Sequence, residues 1–190
     1  MVNYKTLHRP LHGRLVDLLP LSSAHTPHIV RMRNLPHVRQ FFDEHAPTTE
    51  ASHTAFYQVY AQNPCDLYWC VAAKTGEIIG TNRLNAIDGS TGTKGSQIID
   101  DAHANRGPYA LESEILLIKF AFAILGLSRL RAVIRPDNAK VVSFNKKLGF
   151  GHAGHCILRN HTYEVYELTP DQFRPEQFDD LIGYFAGRGG

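Results

Sequence analysis

Cysteine is scarce in these 190 residues, with only Cys65, Cys70 and Cys156 present. An odd and sparse set builds no disulfide framework and fits a reducing compartment. An excess of charge of one sign is also lacking. Twenty Lys and Arg against eighteen Asp and Glu leave a formal +2, too little for the electrostatic footprint of a protein that binds nucleic acid or an anionic membrane, although local basic pockets remain compatible with it. Long apolar runs are missing as well. The longest near-apolar stretch, residues 115–125, contains Lys119 and is too short to span a bilayer. No apolar core of signal-peptide length stands near Met1, and a soluble cytoplasmic protein is expected.

What is present is globular in kind. With 43% hydrophobic and 20% charged residues the composition excludes disordered, collagen-like and coiled-coil chains. A chain of this size buries roughly 70% of its unfolded surface, so a single domain over 1–190 is expected, with a core over 14–168 and a helical C-terminal extension over 169–190.

Residues 14–20 read as a strand ending at Pro20. Ser22 and Ser23 offer a cap for a helix over 25–33, which Asn34-Leu35-Pro36 interrupts before a short helix over 37–42. Thr48 or Thr49 caps a third helix through Gln62, with Ala55, Phe56, Val59 and Tyr60 as its apolar face. Residues 67–73 and 77–85 form a hairpin around Lys74-Thr75-Gly76, and a flexible turn over 88–95 leads to a fourth strand over 96–100. A helix over 111–125 is apolar nearly all round and stops at Gly126. A strand over 129–135 precedes a helix over 138–148, capped at Asp137, buried along Val141, Phe144 and Leu148, and closed by Gly149 and Phe150. Strands over 151–159 and 162–168 turn at Asn160-His161, and one terminal helix covers 170–185. Hairpins outnumber crossovers in this order, so the class is α/β (α+β) with a mixed sheet.

The informative stretch is Asn105-Arg-Gly-Pro-Tyr-Ala-Leu-Glu-Ser-Glu-Ile115. A strand feeds a loop that opens on a buried helix, and main-chain N–H groups at the positive end of a helix dipole suit a pyrophosphate. Further on, Leu125-Gly-Leu-Ser-Arg-Leu-Arg is followed by Pro136-Asp-Asn-Ala-Lys-Val-Val-Ser-Phe-Asn-Lys-Lys-Leu-Gly-Phe150. This half resembles the coenzyme A half of the GNAT superfamily of N-acetyltransferases. Ala110-Leu-Glu112 with Phe120-Ala-Phe122, and Arg31-Met-Arg33-Asn34-Leu-Pro36-His-Val38, look like its ribosomal-protein N-terminal acetyltransferase branch. Over 31–85 the chain looks slightly more like the aminosugar acetyltransferases of flagellin glycosylation.

The resemblance implies a mostly antiparallel central sheet splayed between its fourth and fifth strands, helices on both faces, and acetyl-CoA in the splay, where a primary amine attacks the thioester. It places the cofactor against Ile98, Ile99, Asn105, Arg106, Gly107, Pro108, Tyr109, Ala110, Asn138, Phe144 and Lys147. The amine falls near Arg33, Asn34, Trp69, Arg83 and Asn85, although core packing is the stronger expectation for Trp69. Two departures stand out. Pro108 occupies a glycine position of the pyrophosphate signature and has no N–H, leaving the amides of Arg106, Gly107, Tyr109 and Ala110. Asn145 occupies the position of a tyrosine whose phenol protonates the departing thiolate, and an amide can orient but cannot act as a general acid. Asn145 and Asp100 are the catalytic candidates.

His152, His155, Cys156 and His161 gather at one hairpin without metal-ligand spacing, and no metal is expected. The expected activity is transfer of an acetyl group to a primary amine, for instance of a nucleotide-linked amino sugar. The alternatives are a protein or peptide N-terminus as acceptor and a non-catalytic acyl-CoA-binding module. The partner is thus a small-molecule or peptide amine, with neither nucleic acid nor membrane, and a homodimer is compatible with the class.

Overall fold

The computed structural model describes residues 2–41 and 46–188. Its first half contains β1 (Leu11–His12), β2 (Val16–Pro20), α1 (Thr26–Arg33), α2 (Pro36–Arg39), α3 (Glu50–Gln62), β3 (Leu67–Ala73), β4 (Ile78–Asn85) and β5 (Thr91–Ile99). The second half contains α4 (Asp101–Ala104), α5 (Tyr109–Ala123), β6 (Arg129–Ile134), α6 (Ala139–Lys147), β7 (Gly151–Leu158), β8 (His161–Leu168) and α7 (Asp179–Ala186). The strands form one eight-stranded sheet in the order β1-β2-β3-β4-β5-β6-β8-β7, antiparallel throughout except for the parallel pair β5 and β6.

Strand periodicity sorts the core into two layers. Leu67, Trp69 and Val71 of β3 join Leu117, Ile118 and Phe120 of α5 and Leu148 behind α6. Their neighbours Tyr68, Cys70 and Ala72 face the other way and pack with Ile29 and Met32 of α1 and Tyr60 of α3. Every residue of β3 is therefore buried, as expected of a central strand covered on both faces.

Several expected boundaries move. The turn expected over 88–95 is already strand from Thr91, because Asp88 accepts the Thr91 amide at 2.8 Å and closes the turn early. A one-turn helix, α4, stands between β5 and the loop; Asp100 caps it by accepting the His103 amide at 3.1 Å. The cap of α6 is Asn138, whose side chain accepts from the Val141 amide, while Asp137 is drawn to Arg135 at 2.8 Å. The buried stripe also differs from the expected one: Val141 is turned outward at 37% exposure, and Asn145 is the most buried residue of the helix. On α3 the covered face is His53, Phe56, Tyr57 and Tyr60; Val59 is 72% exposed. The single terminal helix is instead a 3-10 turn, Pro175–Phe178, followed by α7. The last residue of the helix expected over 37–42 lies outside the described residues.

Candidate active site

β5 and β6 run paired only from Thr91 and Arg129 to Lys94 and Ala132. Beyond these, β5 continues to Ile99 and β6 to Ile134 without pairing to each other. The cause lies in the register against β4. Arg83 faces Gly95 whereas Thr81 already faces Ile98, so two residues of β5 oppose Asn82. A bulge of this kind bends its strand and strengthens the local twist. β5 leans away from β6, and its main chain from Gly95 to Ile99 borders a wedge. This is the splay expected between the fourth and fifth strands.

At the wide end of the wedge stands the start of α5. The N–H groups of Tyr109, Ala110 and Leu111 open the helix and have no acceptor within it. Pro108 is the N-cap, at φ −80°, where a helix offers no acceptor for an N–H, so its missing donor costs the helix no bond. The Arg106 amide is used otherwise than expected: it donates to His103 O at 3.0 Å and closes α4. Of the amides expected to hold a pyrophosphate, Gly107, Tyr109 and Ala110 remain, with the exposed side chains of Asn105 and Arg106 beside them. Gln97 ties β5 to this end of α5, its Nε2 donating to Ala110 O at 2.8 Å and Ser113 Oγ at 3.0 Å. The loop is backed by α7, since a Cβ at Gly107 would lie 3.3 Å from the Phe185 ring.

At the narrow end, where pairing stops, a buried polar chain crosses between α5 and α6. The Lys94 ammonium lies 3.0 Å from Glu114 Oε1 and donates to Asn145 Oδ1 at 2.9 Å. Asn82 Nδ2 stands 3.3 Å from Glu114 Oε2, and Asn145 Nδ2 donates to Val141 O at 2.8 Å. Glu114, Asn82 and Asn145 are fully buried and Lys94 nearly so. Asn145 thus spends both ends of its amide inside the protein. Lys94, Glu114 and Asn82 had no place among the sequence candidates. The available signal was Glu114 itself, an acid in an otherwise apolar helix, which demands a cation on the strand it packs against.

Asp100 ends β5 and is buried. Its carboxylate accepts from Arg31 of α1 at 3.3 Å and lies 2.7 Å from His103 Nδ1. Six residues of strand put it about 20 Å from Lys94 along the chain, so Asp100 and Asn145 belong to opposite ends of the wedge. Among the described residues Glu77, Asp100 and His103 bring ligand atoms within 4.8 Å of one another, but Arg31 beside Asp100 opposes a cation there. In the histidine-rich hairpin, His152 is paired with Glu164.

The expected amine contacts separate. Trp69 is fully buried on the α5 side, donating to Arg9 O at 2.9 Å and standing edge-on to Phe120, so it is core. Arg83 forks onto both oxygens of Asp66 and lies against the rings of Phe56 and Tyr68. Asn34 holds Thr48 by both its N–H and its carbonyl, at 2.9 and 2.7 Å, and Arg33 reaches the Thr48 hydroxyl. Asn85, paired with Thr93 and close to Gly95, is the one that borders the parting strands. Of the cofactor candidates on α6, Phe144 lies 5.8 Å from the Lys94 ammonium and Lys147 is exposed. A separate open cavity of about 460 Å³ lies between another side of α6, at Ala139, Val142 and Lys146, and Glu164 and Tyr166 of β8.

Comparison with known proteins gives these features a context. The family model described as an acetyltransferase (GNAT) domain matches residues 16–151. Among solved structures, a GCN5-related N-acetyltransferase from Brucella melitensis superposes with TM-score 0.73 at 19% identity, covering 95% of this chain and 85% of that one. Spermidine N-acetyltransferase from Vibrio cholerae, in complex with CoA and spermine, gives 0.74 at 17%, covering 84% and 98%. FdhC, a nucleotide-linked sugar GNAT, gives 0.73 at 19%, covering 94% and 98%. A search of curated proteins finds no match.

Proposed function

The chain belongs to the GNAT acetyltransferase family, and on that premise we propose that it moves the acetyl group of acetyl-CoA to the primary amine of a small molecule. The observation that carries this reading is the wedge: a strand edge released from its neighbour, leading from a buried polar cluster to the unsatisfied amides of a helix start. A pantetheine arm is an extended chain with two amides, and the main chain of Ile98 and Ile99 offers it strand-like partners. The pyrophosphate falls to Gly107, Tyr109 and Ala110, with Arg106 supplying charge and Asn105 a flank. Asn138 and Phe144 border the same arm from α6, and Lys147 lies near enough to solvent to meet a phosphate.

The amine approaches past Asn85, under the cover that Arg33 and Asn34 fasten to Thr48. Asp100 has a positioning role, anchoring α4 and the loop that follows it. The acceptor favoured is an amino sugar carried on a nucleotide; a polyamine is the second reading, and the Vibrio cholerae enzyme supports it only through the fold. Neither a protein N-terminus nor a non-catalytic module gains an observation. The test is coenzyme A release over a panel of nucleotide-linked amino sugars, polyamines and peptides. Turnover with one amine class and not the others is expected; binding of acetyl-CoA without release in the presence of any amine would leave only the module.

A further inference from the structure

The buried polar chain at the narrow end of the wedge has no structural necessity. Lys94 and Glu114 carry opposite charges into a region otherwise lined by Phe144, Phe150 and Leu84, and an apolar pair would hold the same helices together without the cost of desolvating two ions. The arrangement is nevertheless ordered, although Glu114 Oε1 is left without a hydrogen bond. Glu114 is held by Asn82, and Asn145 is held by the Val141 carbonyl so that its own carbonyl must face Lys94. An ammonium has three protons. Asn145 accepts one, Glu114 Oε1 stands 3.0 Å away as the counter-charge without completing a hydrogen bond, and the strands part at the residue that bears the protons left over.

The geometry points to Lys94 as the catalytic cation that receives the departing thiolate of coenzyme A, with Glu114 and Asn145 as the positioning residues that aim it. The assignment rests on the reading that acetyl-CoA lies in the wedge. In the step concerned, the lone pair of the acceptor amine forms the N–C bond to the thioester carbonyl. The C–S bond breaks with its electron pair on sulfur. The proton lost by the amine goes to water, and the sulfur leaves as an anion beside an ammonium that stays protonated. Asn145 then needs no acidity, because charge stabilisation takes the place of proton donation.

The test needs no acceptor amine. Free coenzyme A is bound to the full protein, binding is measured by calorimetry, and ionisation of the bound thiol is followed by the ultraviolet absorbance of the thiolate as pH is raised. An ammonium close to sulfur lowers the pH of thiol ionisation by about one unit or more relative to coenzyme A in solution. Lys94→Met combined with Glu114→Gln removes both charges together, and in it the ionisation returns toward the free value while the dissociation constant changes less than tenfold. A thiol that ionises alike in both proteins, with coenzyme A bound to both, overturns the assignment and leaves the wedge reading intact. If the double variant does not fold, the wild-type protein alone decides: a bound thiol no more acidic than the free one overturns the assignment, and Lys94→Arg, which keeps the charge, must keep the shift. Failure of coenzyme A to bind the wild type removes the wedge reading and the assignment with it.

Discussion

His8 packs edge-on against Trp69, with ring centroids 4.5 Å apart, and burial, with Lys5 nearby, lowers its pKa from 6.5 to about 4. The unfolded chain takes up this proton near pH 6.5 and the folded protein only near pH 4. Stability is therefore unaffected above pH 6.5, falls as pH drops through the interval, and loses at most about 3 kcal/mol by pH 4. Urea unfolding of wild type and His8→Leu at pH 7 and pH 5 checks this: the wild type should lose more than the variant on acidification. Glu112 is a second buried group with a structural task. Its two oxygens accept the amides of Arg14, Leu15 and Val16 at 2.7, 2.7 and 2.9 Å, fixing the entry to β2. Glu112→Ala strands three donors and should cost about 3–5 kcal/mol, read from denaturant midpoints. In the sequence Glu112 was visible as one member of a motif, but that its partners are main-chain groups almost a hundred positions away was not, because a backbone amide leaves no mark in a sequence.

Elements were legible where local chemistry settles them. β3 ends at both expected residues, and the turn of Gly149 is left-handed at φ +99° as its place after α6 requires. A Cβ at Gly149 would lie 2.7 Å from the Gln172 carbonyl, so Gly149→Ala should lower stability by at least about 2 kcal/mol, visible as a drop in melting temperature. Elements were misjudged where two local signals compete. Asp137 and Asn138 are both good caps, and Asn138 takes the role while Asp137 pairs with Arg135, the residue just after β6. Asn145, expected on the flank of α6, is its most buried residue, and the sequence could not offer it Lys94 because that partner stands 51 positions away on β5. α4 went unread for a similar reason: four residues hold no periodicity.

The whole sheet was legible as a mixed array from its hairpins and two crossovers, which turn residues spell out, whereas its splay was implied only by the family resemblance. The reach of the C-terminal extension was not legible. Phe173, Phe178 and Phe185 pack onto the main core and Phe185 backs Gly107, although nothing in an amphipathic tail announces which surface it will cover. Ending the chain after Arg174 should therefore both lower the melting temperature and weaken acetyl-CoA binding by about tenfold, measured by calorimetry on the truncated protein. An unchanged affinity would make α7 a stabilising brace only.

The wedge also divides the molecule mechanically. Among the described residues, the backbone ladder joining the strands from β1 to β5 with β6, β8 and β7 is the short seam from Thr91 and Arg129 to Lys94 and Ala132. Every other pairing is antiparallel, and most join strands adjacent in sequence, so each half can assemble from nearby partners, whereas the seam closes only after the long loop through α5 has been brought round. Amides along the seam should accordingly exchange with deuterated solvent faster than those of β3 and β4, by a subglobal opening in which the two half-sheets hinge apart. An occupant of the wedge bridging both halves would then slow that exchange on both sides at once, at residues it never touches.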